Sequence, residues 1–555
     1  MDIVDKGRSI KWGFLILALV LLSQIGAHRI APVTAYAIAD SSSLSGVAPA
    51  HNPTLYALKT ASGDAYYVAI NGDDSNPGTL ASPWKTIQHA VDHVTPGDNI
   101  LVREGTYNES VRLSVSGQQG RPITLTSYRD EPVTIDGGEA PALHARWDGT
   151  QYWIIEGFTL DSSAEYTVEF GTGYVYSSDH CTTRNNYIRG AVMVSGSYNV
   201  FQGNEVDGSQ HRGSEDGVQE VNKVSHHNLY RNNHIHHFNS RGIWSLSFTH
   251  DSIFENNHVH HIGVDRVGDD GGQGIDLDGF STVVWRHIVR NNHIHDCGLN
   301  GLSLENAFDG VVEDNIIHDI PGKGIGVINY GGEIGDGWGT DNRCQVGGEH
   351  NQYGDTDGDN DCRGNITGNI IRQNLIYNTG TYGAIVIWSA GGINILGNTI
   401  YVGAGNRAAG ILISWEYSPE IGIQSNIISE CDWGAINIKD TDSLVEDSNN
   451  LIYQPRGKAD YLIGSSEYSL SQYQSMSGKG RGSIAADARF IDPSGHDFRL
   501  LSDSPAIDAG VDIGLTTDMD GRSRPQGPGY EIGAYEHGSL RQMTYLPIIR
   551  NPTSD

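Results

Sequence analysis

The sequence predicts an all-β protein built as a parallel solenoid, and three observations predict it. A glycine followed by an alternating apolar string recurs as GVQEV at 217, GIWSL at 242, GIDLD at 274, GLSLE at 301, GIGVI at 324, GAIVI at 383, GILIS at 410 and GAINI at 434. After each comes a short strand and then an asparagine-bearing turn: NNHIHH, NNHVHH, NNHIHD, DNIIHD, QNLIYN, GNTIYV, SNIISE and NNLIYQ. Most glycine-to-glycine steps run between 23 and 27 residues, with one insertion between Gly324 and Gly383. Period-2 strands joined by regular turns, about three strands per repeat, stack as coils about 4.8 Å apart.

The elements follow in chain order. Lys6, Arg8 and Lys11 precede WGFLILALVLL, and Ala35-Tyr36-Ala37 offers a cleavage site, so residues 1–37 read as an export signal and the body as secreted or held at the cell surface. The alternative is an uncleaved anchor. No other segment is apolar enough to cross a membrane. Residues 38–63 are rich in Ala, Ser and Pro and read as a linker. YYVAI at 66 is strand-like; TIQHAVDHV at 86 puts Ile87, Ala90, Val91 and Val94 on one helical face. The solenoid occupies 64–453, a terminal coil or cap region 454–540, and a tail 541–555.

Within the repeat, the isoleucine of NNHIHH points inward and the flanking histidines outward. Asparagine suits the turn because it tolerates left-handed backbone and bonds to main chain. In register, Asn233, Asn257 and Asn292 form an amide ladder. His234, His258 and His293 make one outward column; His236, His260, His295 and His318 make another. They read as solvated or stacked side chains rather than a zinc site, because ligands converge and these lie in rows.

Asp plus Glu outnumber Lys plus Arg by 67 to 36, a formal charge of −31, which excludes a phosphate-backbone partner and leaves glycans or bridged polyanions. Five cysteines are too few for a disulfide framework. Cys344 and Cys362 flank one polar loop and are paired here; Cys297 and Cys431 lie several rungs apart, and Cys181 has no evident partner.

These features, with the opening YYVAINGDDSNPGTLASPWKTIQHAVDHVTPGDNILVREGTY and the closing SPAIDAG and DMDGRSRPQGPGYEIGAYE, resemble the right-handed parallel β-helix proteins of the pectate lyase-like superfamily over roughly 64–510. The resemblance implies a right-handed helix with the 86–94 segment as N-terminal capping helix. Lyases, glycoside hydrolases, epimerases and non-catalytic surface proteins share that fold.

The chemistry is sought on the outward positions two and four residues after each glycine. There GIDLD places Asp276 and Asp278, and GLSLE places Glu305 one coil on, in the column of Asp278. Clustered carboxylates repel unless one takes a proton, and a proton-bearing acid beside an ionised one is what a glycoside hydrolase needs. Hydrolysis of an extracellular polysaccharide is therefore the first expectation, with Asp276 or Asp278 as nucleophile or base and Glu305 as acid. Alternatively the acids bind Ca²⁺ for a pectate-type lyase; Asp269 and Asp270 loosely resemble the Asp-rich calcium segment of one β-helix pectate lyase family. That reading lacks a base in the outward columns. Lys323 is the nearest candidate, ahead of Lys223 and Arg241. A non-catalytic adhesive solenoid is the third reading.

Trp244, Asn306, Asn329, Tyr330, Trp338 and Trp388 are the expected sugar-binding residues, with Trp415 extending the aromatic track. Asp355, Asp357, Asp359 and Asp361 alternate with calcium-loop spacing but lack the glycine and glutamate that complete such a loop. The chain is expected to act as a monomer.

Overall fold

The computed structural model describes residues 63–538 apart from 146–148, 172–176, 210–214, 222–224, 265–270, 280–282, 330–366, 404 and 414–417. The structure is a right-handed parallel β-solenoid with very little helix. One face is a 14-stranded sheet of short strands in sequence order, running from Ala65–Val68 to Leu444–Ser448. Each rung continues through an asparagine turn into a second strand, such as His258–Ile262, and then into a glycine-led third strand, such as Gln273–Asp278. Both pair in parallel with their counterparts on the next rung.

The isoleucines expected to point inward do so. Ile235, Val259, Ile294, Ile317, Ile376, Ile400 and Ile428 fill one interior column. Ile243, Ile275, Leu302 and Ile325 fill another from the third strand. The leading glycine sits where these columns meet the neighbouring backbone. A Cβ on Gly274 would lie 2.4 Å from Ile294 Cγ2 and 2.7 Å from the Gly301 carbonyl oxygen; Gly242 and Gly301 are equally confined. At these three positions glycine stands for space and not for left-handed φ.

The asparagine doublet divides two jobs. The first residue takes the left-handed turn: Asn232, Asn256 and Asn291 all have φ near +55°. The second is buried in a continuous ladder. Asn233, Asn257, Asn292 and Asn315 each pass a side-chain hydrogen bond to the next Oδ1 at 3.0 Å, and the chain of amides continues through Asn374, Asn398, Asn426 and Asn450. Each amide also bonds a backbone carbonyl of the rung before, as Asn292 Nδ2 does to Phe254 O at 2.9 Å.

The helix expected over 86–94 is present as α1, Ile87–His93, with Thr86 accepting from the His89 amide at its start and Ile87, Ala90 and Val91 buried. It lies against Ala65–Val68, Asn99–Val102 and Val111–Arg112. Beyond 454 come the antiparallel pair Tyr461–Ile463 and Ser466–Tyr468, then α2, Leu470–Ser477, with a Ser469–Gln472 capping box. Residues 509–534 then run back along the solenoid, bonding Gln373, Thr399, Ser425 and Asn449. Cys181, Cys297 and Cys431 are buried free thiols. Among the described residues no helix is long and apolar enough to cross a membrane. The expected signal (1–37), nearly all of the linker (38–63), the tail (541–555), and Cys344 and Cys362 lie outside the described residues.

Candidate functional site

The acids predicted to meet do meet on one face. Trp244, Asp276 and Ser303 share one column of the third strands; Leu246, Asp278, Glu305, Ile328 and Trp388 share the other. They are not solvated: Asp276 is 1% exposed, Asp278 8% and Glu305 9%.

What compensates their charge stands in a third column, one residue before the glycine, which the sequence reading did not count as outward. It holds Asp216, Arg241, Gln273 and Asn300, in register. Lys323 continues it on the next rung, its amide donating to Asn300 Oδ1 at 3.2 Å. The statement that the outward columns lack a lysine is corrected by this placement. Strict period-2 alternation would send a side chain preceding the glycine inward with the first and third residues after it, so its place beside the acids is a departure at the glycine, shown by the Arg241–Asp276 contact.

Arg241 ties the cluster together. Its Nε donates to Asp276 Oδ2 at 2.7 Å, a second nitrogen lies 3.5 Å from Asp216 Oδ1, and the guanidinium sits 4.2 Å over the Trp244 ring. Trp244 Nε1 in turn donates to Asp278 Oδ2 at 3.1 Å. So Trp244 is not the open sugar platform expected of it: one face carries Arg241 and its edge holds a carboxylate. Burial first, then the neighbouring Glu305 and Asp278, push the Asp276 carboxyl well above the usual range, against the pull of Arg241. Asp276 Oδ1 is buried with no hydrogen-bond partner. Burial also raises Asp216.

Lys323 is 7% exposed. Its Nζ lies 4.1 Å over the Trp388 ring and 5.9 Å from that of Tyr382. Burial draws its ammonium below the ordinary lysine range, and the Glu305 charge opposes that shift. Trp388 is thus a seat for Lys323, not the bare sugar platform expected. Asn306 is a turn residue with φ +47°, and its amide donates to Gly279 O at 3.1 Å. Asn329 is buried at the end of the next rung, and its backbone N–H donates to Trp388 O. Neither asparagine offers the open sugar-binding side chain expected of it. Tyr330, Trp338, Trp415, Asp269, Asp270, Lys223 and the alternating Asp355, Asp357, Asp359 and Asp361 lie outside the described residues.

The histidine columns occupy a different face, on the second strands. They are stacked as expected, with His258 and His293 rings 5.0 Å apart and 9° from parallel. They also interlock diagonally: His234 Nε2 lies 2.7 Å from His260 Nε2, His258 Nε2 2.8 Å from His295 Nε2, and His293 Nε2 2.8 Å from His318 Nε2. Burial and then neighbouring histidines hold His234 down to about 4 and His258 to about 3.

On one outward face the parallel β-helix thus carries buried acids beside a half-buried arginine and a buried lysine. The family model described as Pel9A-like, right handed beta helix region, matches residues 66–320, and the chain resembles the pectate lyase-like parallel β-helix proteins over that span. An uncharacterized protein, YwoF of Bacillus subtilis (strain 168), is 36% identical over 141 residues, 23% of this chain and 29% of that protein. Pectate lyase PEL9 of Emericella nidulans is 34% identical over 148 residues, 24% of this chain and 36% of that protein. The matches thus span about a third of these relatives' lengths. Among solved structures, XylC in complex with xylose superposes over 85% of this chain and 99% of its own at 12% identity and TM-score 0.47. Pectate lyase Pel9A does so over 86% and 100% at 14% identity and TM-score 0.38.

Proposed function

We propose that the chain cleaves a uronate-containing extracellular polysaccharide by β-elimination at the face formed by Arg241, Asp276, Asp278, Glu305 and Lys323. The observation that carries this is Lys323: a buried lysine with a lowered pKa, seated on Trp388 on the same face as the acids. A lysine depressed by burial is neutral more readily and can take a proton. In the reaction it removes the proton on the carbon α to the uronate carboxylate. The electron pair forms the new carbon–carbon double bond, and the glycosidic bond β to it breaks. The leaving oxygen takes its proton from water, since Asp276 in this reading serves as an ionised cation ligand. The partial likeness to pectate lyase PEL9 supports this substrate class.

The same face is acidic and would repel a polyuronate unless a cation intervenes. Asp276, Asp278 and Glu305 are hard oxygen donors of the type Ca²⁺ takes, and the unpartnered Oδ1 of Asp276 favours such a ligand. Bound there, the ion would supply neutralisation of the substrate carboxylate. Orienting Asp276 and Asp278 falls to Arg241 and Trp244 through the bonds described above.

A specific observation keeps hydrolysis as the second reading. The raised Asp276 beside Asp278 and Glu305 is an acid next to potential bases, the pairing a glycosidase uses. Digestion of polygalacturonate and a panel of neutral glycans, with and without chelator, separates the two. Elimination gives an unsaturated, ultraviolet-absorbing product that Lys323→Ala and Lys323→Arg abolish. New reducing ends without that absorbance, unaffected by Lys323→Ala, would remove the lyase reading. Export directed by residues 1–37 belongs to the same proposal; amino-terminal sequencing of the mature protein tests it.

A further inference from the structure

The interlocked histidine columns lie outside the site above. Two nitrogens 2.7 to 2.8 Å apart form a hydrogen bond only if one carries a proton and the other offers a lone pair. In the His258–His295 pair the assignment is fixed by the next bond. His295 Nδ1 lies 2.7 Å from Asp296 Oδ2 and therefore donates, which leaves its Nε2 as the acceptor for His258. The His258–His295 and His293–His318 pairs thus each present an imidazole pre-oriented by a carboxylate behind it, an arrangement met in histidines that ligate metals, whereas His261 stands behind His260.

Geometry brings a third nitrogen to each pair. Ligand atoms of His258, His293 and His295 all lie within 4.8 Å of one another; so do those of His234, His258 and His260, and those of Glu205, His234 and His236. The rings of the all-histidine groups are half-buried, so an ion reaches them from solvent. The expectation that the histidines lie in rows and cannot converge is thereby corrected. Within a column the rings are parallel, but the first ring of one rung tilts toward the second ring of the next.

We propose that this ladder is a binding site for a borderline transition-metal ion of the Zn²⁺ class, with His258, His293 and His295 as its ligands. Tetrahedral zinc–imidazole bonds of about 2.1 Å set the two nitrogens about 3.4 Å apart, so the 2.8 Å pair must open by about 0.6 Å, within reach of a ring rotation. On binding, His258 moves its proton from Nε2 to Nδ1 by exchange with water, and His293, whose Nε2 donates to His318 in the free ladder, either does the same or ligates through Nδ1, so no net proton is lost. Imidazole donors select Zn²⁺, Cu²⁺ or Ni²⁺ over Ca²⁺. The group Glu205, His234 and His236 shares no residue with this one, so the ladder has room for a second ion; the central group shares a ring with each. The ion would staple successive rungs on the face opposite no catalytic group described above.

The test is titration of the purified, chelator-treated full chain with Co²⁺, reading its visible d–d absorption, and with Zn²⁺ by calorimetry. One or two equivalents bound, with added amide-exchange protection of the rungs that carry the histidines, is the expected result. His258→Phe/His295→Phe keeps the ring stack and should abolish the band of the proposed site, whereas His250→Phe, at the separate group of His227, His250 and Asp251, should retain it. His258→Gln, which keeps a polar side chain, covers the case in which the double variant fails to fold. Absence of cobalt absorption and zinc heat in the wild type, or a signal lost only with His250→Phe, overturns the proposal.

Discussion

Replacing Asn292 by alanine should open the solenoid locally, and the size of the effect follows from the ladder. The Asn292 side chain accepts from the Asn257 amide at 2.9 Å and from Asn257 Nδ2 at 3.0 Å; it donates to Phe254 O at 2.9 Å and to Asn315 Oδ1 at 3.0 Å. It is 1% exposed, so water does not replace these bonds. At about 1 kcal/mol net per bond the four together contribute about 4 kcal/mol, and the Asn257 N–H is left buried without an acceptor. Long repeat arrays do not unfold in one step, so a global midpoint is the wrong measure. Native-state amide exchange is the right one: protection of Asn257 and its rung neighbours should fall roughly a thousandfold, the equivalent of about 4 kcal/mol. Asn291→Gly, at the left-handed turn position one residue earlier, should leave protection nearly unchanged because glycine adopts φ +55° freely. A fall of less than about tenfold at Asn257, or an equal fall in both variants, would refute the division of labour within the doublet.

Gly274→Ala should destabilise its rung by about 1–3 kcal/mol, since its Cβ would sit 2.4 Å from Ile294 Cγ2; native-state amide exchange at the neighbouring rungs checks it, and unchanged protection would refute the close packing at this corner. Arg241→Met leaves Asp276 and Asp216 buried without their cation and should cost about 3–5 kcal/mol, with Asp276→Asn in the same chain restoring part of it. Glu220 is fully buried, held by Ser245, Ser252 and Asn228, and burial raises its pKa above the 4.5 of a free side chain. A raised acid contributes stability that is fully present below its unfolded value and is lost as pH rises through its folded one. Glu220→Gln should therefore flatten the stability profile above pH ~4.5 and gain on the wild type towards alkaline pH; a constant offset between the two would sink this account.

The solenoid was legible because its signal is written many times. Glycine, alternating apolar residues and asparagine recur at one spacing, and stacking forces a recurring residue into a recurring place. Asp276, Asp278 and Glu305 could be placed on one face for the same reason. Arg241 and the position of Lys323 were misjudged because only two of the three outward columns were counted. Burial of the acids was not legible at all: alternation says which way a side chain points, not whether something covers it. The tilt that brings His258 to His295 also leaves no trace in the spacing, since it depends on ring rotation about χ2. Trp244 and Trp388 show a further limit. Their exposure to sugar was read from column position, whereas each is occupied by a cation from the uncounted column.

The return of residues 509–534 along the flank has a mechanical consequence. Stacked coils ordinarily touch only their immediate neighbours, so each can peel from an end on its own. Here one segment fastens four successive turns at Gln373, Thr399, Ser425 and Asn449. That clasp couples coils that would otherwise part singly, so the carboxy-terminal half should come undone as a block while the amino-terminal half frays stepwise. Limited proteolysis under mild denaturant should accordingly release graded fragments from one end and a single resistant piece from the other.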